Sequence, residues 1–172
     1  MYGKAIEKIV FWLEKAVEVA ENPKQQEVIQ KLIEFYKTGD LRTFDEYSIL
    51  WIQEQEGFID FTNGFIETYG DPLGMKASWE GYVNLKDQAA TERTQKLSEN
   101  AQWFEDHSPV ASQFKKENCQ GVSAKVIEAA ILGGDLYPAS AIGINLPNSN
   151  WIRAEHGSKS VTIGNLTHAY NQ

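Results

Sequence analysis

Phe58-Ile-Asp-Phe61, then Gly64-Phe-Ile-Glu-Thr-Tyr-Gly-Asp-Pro-Leu-Gly74, then Ser78-Trp-Glu-Gly-Tyr-Val83 follow one another in the middle of the chain. The first segment reads as a short strand. Gly64, Gly70, Pro72 and Gly74 then punctuate a turn-rich loop. Trp79 to Leu85 is aromatic and apolar enough to form a second strand. These segments end a long helical texture, so the fold class is α+β rather than all-α. The expected architecture is a set of N-terminal helices followed by a small mixed or antiparallel sheet with inserted helices.

Working backward, residues 1–56 form a helical segment. Ile6, Ile9, Val10, Leu13, Val17 and Ala20 recur at spacings of three and four, which places them on one helix face. Asn22-Pro23 breaks that helix, and Pro23 is placed to start the next. Val28, Ile29, Leu32, Ile33 and Tyr36 make the second stripe, and Gly39 suits its C-terminal cap. Asp40 suits the cap of a third helix, Leu41 to Glu54, with Phe44, Tyr47, Ile49, Leu50 and Trp51 inward. Three helices on short loops suggest a small bundle.

Working forward, residues 57–172 form the α+β segment. Asp87 to Phe104 is helical, and His107-Ser-Pro109 ends it. Val122 to Leu132 is apolar and fits a strand or a helix, stopped by Gly133-Gly134. Ala141 to Leu146 reads as a strand closed by Pro147, and residues 149–160 read as a loop. Asn165 suits the cap of a last helix containing Leu166, Ala169 and Tyr170. That helix stops after about two turns, shorter than the ~11 residues of an average helix, so position 172 reads as a truncation.

The chain has 172 residues, 42% of them hydrophobic, and a formal net charge of −8. One good core is within reach at this length. The negative balance argues against a nucleic-acid partner, whose phosphates reward basic patches. It suits a ligand with a positive end, or simple solubility. The single cysteine, Cys119, allows no disulfide within the chain and fits a reducing, cytoplasmic setting. No apolar run approaches the ~20 residues of a membrane span, and the N-terminus lacks a signal-peptide core.

Motifs for chemistry are sparse. His107, His156 and His168 have no second ligand at zinc spacing, so no metal site is expected in this chain. There is no Gly-x-Ser-x-Gly elbow, and no catalytic residue is assigned. Glu67 and Glu80 flank the Gly-rich loop and could pair as the two carboxylates of a glycosidase, although Glu67 could equally brace the loop. Asp71 before Pro72 is a turn-former. Asn145-Leu-Pro-Asn148 places two asparagines, each both donor and acceptor, at the end of a strand. They suit the amino end and first carbonyl of a peptide, or a plain turn.

The block Gly64–Gly74 with Ser78–Val83, the block Gly143-Ile-Asn-Leu-Pro-Asn148 and the block Val161-Thr-Ile-Gly-Asn165 come in the order seen in the dipeptidyl peptidase III family of zinc peptidases, which this chain resembles. The resemblance implies a piece of a two-lobed exopeptidase that releases dipeptides from the amino ends of short peptides. It implies that substrate adds a strand along Ala141, Ile142, Gly143 and Ile144, and that Asn145 and Asn148 contact it near its amino terminus. Asp60 falls where the family carries an acidic partner of the substrate ammonium, often Glu. Thr62 falls where many relatives carry Tyr. The family's His-Glu-x-x-Gly-His helix has no counterpart here. Zinc is therefore expected in the full-length enzyme and not in this chain, which alone is expected to be inactive. The expected partners are short peptides with a free N-terminus and the rest of the parent polypeptide, with no nucleic acid and no membrane. A free-standing, non-catalytic peptide-binding module of the same fold is the alternative.

Overall fold

The computed structural model describes residues 2–75, 77–119, 123–138 and 140–171. They cluster into two compact units, one of residues 1–58 with 149–157 and one of residues 59–148 with 158–172.

The first unit is helical. It contains α1 (Gly3–Glu18), α2 (Pro23–Thr38) and α3 (Leu41–Gln53), as the apolar spacing predicts. The caps are those the sequence announces. Asn22 Oδ1 accepts from Gln25 N–H at 2.8 Å with Pro23 at the first helical position. Gly39 ends α2 at φ +71, a left-handed conformation that costs a residue with a Cβ. Asp40 Oδ1 accepts from Arg42 N–H at 2.9 Å to start α3. Val28, Ile29, Leu32, Tyr47 and Trp51 are all buried, and each contributes about 1.5–3 kcal/mol by leaving water. The Glu54 carboxylate is also buried. Its Oε1 accepts from the N–H groups of Glu56 and Gly57 and from Asn22 Nδ2, which replaces the lost hydration.

The second unit is a five-stranded sheet with helices against it. Its first three strands are β1 (Ile59–Glu67), β2 (Ser78–Lys86) and β3 (Ser123–Gly134). The last two are β4 (Gly143–Leu146) and β5 (Lys159–Ile163). Their spatial order is β1-β2-β3-β5-β4, antiparallel throughout except for the parallel β3/β5 pair. The sheet is therefore mixed and the fold α+β, as expected. Ile127, Val161 and Ile163 form its apolar centre, with Ala129, Ile144 and Leu166 packed on them. Helix α4 (Gln88–Glu99) starts at Asp87, whose Oδ1 accepts from Ala90 N–H at 2.9 Å. Asn100 separates α4 from α5 (Ala101–His107), so the single helix expected over residues 87–104 is two.

Three further expectations are corrected, and one left open is settled. Gly64 is not in a loop. It lies inside β1 opposite Glu80, because glycine within a strand marks room for a neighbour as readily as a break. Val122 to Leu132 is a strand, which begins at Ser123 (Val122 lies outside the described residues). Residues 149–160 are not a loop but hold α6 (Asn150–His156), in the helical unit with Ile152 fully buried, and the start of β5. Asn165 is not a cap but the second residue of α7 (Gly164–Tyr170). Its Oδ1 accepts from Ala129 N–H at 3.1 Å, and its Nδ2 donates to Ala129 O at 3.0 Å. That amide completes backbone bonds β3 would otherwise lack.

Candidate functional site

β4 is a four-residue strand bonded to β5 on one side only among the described residues. Its other edge presents unpaired backbone donors and acceptors. Beside it lies a cavity of about 320 Å³ within the sheet unit. Gly143, Ile144 and Asn145 of β4 line it, with Asn148 just beyond. The four residues that the Gly143–Asn148 motif singles out thus share one cavity.

Part of the lining is acidic. Glu67 enters from the end of β1, Glu80 from β2 and Asp135 from the residue after β3. Glu80 is only 2% exposed. Burial, reinforced by the charges of Glu67 and Asp135, pushes its carboxyl up to about 7. Burial and the charge of Asp135 raise Glu67 as well. Glu67 and Glu80, which sequence reading set beside each other, do share a cavity. Asp135 was missed, because Gly133-Gly134-Asp135 reads only as a strand stop.

Gly134 explains how Asp135 arrives there. Its φ is +64, and a Cβ at this position would sit 2.0 Å from the Trp79 carbonyl oxygen. The close approach lets Asp135 N–H donate to Trp79 O at 3.1 Å. The indole of Trp79 in turn lies 2.9 Å from where a Cβ at Gly81 would sit. Gly81 and Gly134 therefore make room for Trp79 next to Glu80 and Asp135.

Asp60 and Thr62 lie elsewhere on β1. Asp60 Oδ2 is paired with Lys159 Nζ at 2.8 Å, and the lysine is 1% exposed. Thr62 is buried opposite Tyr82. Neither lines the cavity beside β4. Asn84, also buried and directly opposite Asp60, has no hydrogen-bond partner for either side-chain amide atom among the described residues. The interior of this sheet is thus unusually polar.

The described residues do not fit a metal. His107, His156 and His168 sit on three different helices. Among the described residues no three His, Cys, Asp or Glu side chains are placed to hold an ion. No described helix is long and apolar enough to cross a membrane.

Comparison with known proteins adds the wider context. Residues 1–172 match the model of Peptidase family M49. The chain is 29% identical over 165 residues to dipeptidyl peptidase 3 of Homo sapiens, and 30% identical over 165 residues to that of Dictyostelium discoideum. Each match covers 96% of this chain but only 22% and 23% of those proteins. The solved structure of DPP III from Caldithrix abyssi superposes with a TM-score of 0.88 at 25% identity, over 98% of this chain and 32% of that one. The chain spans about a quarter of the curated relatives it matches.

Proposed function

We propose that this chain, which belongs to peptidase family M49, is the substrate-holding part of a zinc-dependent exopeptidase that releases dipeptides from peptide amino ends. The observation that carries this reading is the free edge of β4 running beside a cavity lined by Asn145 and Asn148. A short peptide with a free N-terminus pairs its backbone with Gly143 and Ile144, which gives affinity with little dependence on side chains. Asn145 and Asn148 offer donors and acceptors to its first residues. The resemblance also assigns Asp60 and Thr62 of β1 to substrate binding, but both lie outside this cavity, and Asp60 is paired with Lys159. Fixing the amino end at a set distance from the reacting bond sets the length of the released fragment.

Zinc and the groups that act with it belong, in this proposal, to the remainder of the parent polypeptide. No catalytic step is assigned to residues 1–172, and this chain alone is inactive. A cytoplasmic setting fits the single free cysteine. Glu67 and Glu80 in one cavity also meet the first requirement of a sugar-cleaving carboxylate pair. Membership of a peptidase family and the asparagine-lined strand edge favour the peptide.

The test is Asn148→Ala in the intact protein, with dipeptide release from a pentapeptide measured. Asn148 is exposed, so folding is expected to survive. Loss of a hydrogen bond to a charged group costs about 1.5–3 kcal/mol, which corresponds to roughly a tenfold to hundredfold fall in kcat/KM. Unchanged kinetics would remove Asn148 from the site.

A further inference from the structure

We propose that Asn84 is the centre of an internal water site in the sheet, where ordered water bridges its amide to the Asp60–Lys159 ion pair. Asn84 is not among the residues that line the cavity beside β4, and the site is independent of the peptide reading above.

Three observations carry it. Asn84 is buried, and neither its side-chain oxygen nor its side-chain nitrogen has a hydrogen-bond partner among the described residues. An acceptor and a donor are therefore both unsatisfied on one amide. Antiparallel pairing sets Asn84 between Asp60 of β1 and Ala129 of β3. Asp60 brings a charge to that row, and Ala129 brings only a methyl group. Two residues along on the same face, Thr62 stands opposite Tyr82, both buried and each with a hydroxyl. The register of β2 against β3 also shifts between Val83 and Asn84, so the ladder is irregular at this point.

Buried amides are nearly always bonded to protein or to ordered water. Side chains directly opposite on paired strands have Cβ atoms about 4.5–5.5 Å apart, and a polar gap too wide for a direct bond is one that water fills. Asp60 does not bond Asn84 directly. Its Oδ1 accepts from Phe61 N–H at 2.8 Å, and its Oδ2 accepts from Lys159 Nζ at 2.8 Å. A water that donates to Asn84 Oδ1 can give its other hydrogen to that carboxylate, and a second can accept from Asn84 Nδ2. Internal waters need two to four polar partners, and the amide, the ion pair and the two hydroxyls supply them. A metal ion does not suit the place, where Lys159 already holds a positive charge. Water here also adds hydrogen bonds to a charge pair that bulk solvent does not reach, which is what such a pair needs to be tolerated.

The experiment is a crystal structure of the intact protein at a resolution that shows ordered water, joined to magnetic relaxation dispersion of water on that protein and on Asn84→Leu. The structure is expected to show water within about 3.2 Å of Asn84 Oδ1 or Nδ2. Leucine keeps the branching of the side chain without its polar atoms, so the variant should lose at least one long-lived internal water. Circular dichroism first establishes that the variant is folded. Density on the wild-type amide, with that loss in the folded variant, establishes the site. A wild-type amide that bonds only to protein groups, or one with no water density beside it, overturns it. An unchanged dispersion amplitude in the folded variant overturns it as well. If Asn84→Leu does not fold, the wild-type density decides the question by itself.

Discussion

Glu80 is a carboxyl group held where charge is penalised, and its proton therefore reports on folding. Its ordinary value of 4.5 is raised to about 7, first by burial and then by Glu67 and Asp135. The folded protein binds this proton more tightly than the unfolded chain does. Its contribution to stability is complete below about 4.5 and is lost as pH rises through about 7. Glu80→Gln should remove that loss, so urea midpoints of the variant should change less than wild type between pH 6 and pH 8. The variant should also be more stable at pH 8, by on the order of 2 kcal/mol. Parallel profiles would mean Glu80 does not titrate in this window. Asp60 makes the opposite case, a carboxylate whose buried partner is Lys159 at 2.8 Å. Asp60→Asn removes the carboxylate that faces this buried lysine and should cost about 3 kcal/mol, measured by the same denaturation. A loss below about 1 kcal/mol, the range of surface pairs, would show the pair is effectively hydrated. Residue type offered Asn145 and Asn148 as a binding pair or a plain turn, and the family resemblance singled them out and added Asp60. Neither could reveal that Asp60 faces a lysine 99 positions away, because no local pattern encodes that meeting.

Among the elements, those legible in the sequence are those whose signals are local. α2 announces itself at both ends, by Asn22-Pro23 and by Gly39, and along its length by an apolar stripe. β5 does not. Its first inward position is Lys159, which in sequence looks like solvent-facing loop, and the strand is recognisable only once Asp60 is seen across the interior. Gly64 and Gly134 show why glycine misleads in both directions. One sits within a strand, while the other ends a strand in a left-handed conformation against the Trp79 carbonyl. Gly134→Ala must move the backbone, since its Cβ would lie 2.0 Å from that oxygen. The left-handed conformation alone costs an alanine about 1–2 kcal/mol. The shift should also draw Asp135 away from Glu80, so an NMR titration should find the Glu80 carboxyl lower in the variant. Destabilisation with no change in that titration would mean Asp135 is placed by something other than this turn.

For the molecule as a whole, two cores share one chain that crosses between them. After Asn148 the backbone leaves the sheet unit, forms α6 among the N-terminal helices, and returns at Ser158 to lay down β5. No sequence signal announced this excursion, because seven residues are too few to display helical periodicity. The helical unit's dependence on it is nevertheless specific. Ile152 is fully buried there, and α6 packs on α3. Ile152→Ala removes that anchor and should cost about 2–5 kcal/mol. Units with separate cores open as separate cooperative blocks. Hydrogen exchange should therefore speed up at the amides of α2 and α3 while those of β2 and β3 keep their protection. Equal acceleration in both sets would show that the two cores unfold as one, and the division into two units would then describe only how the residues cluster.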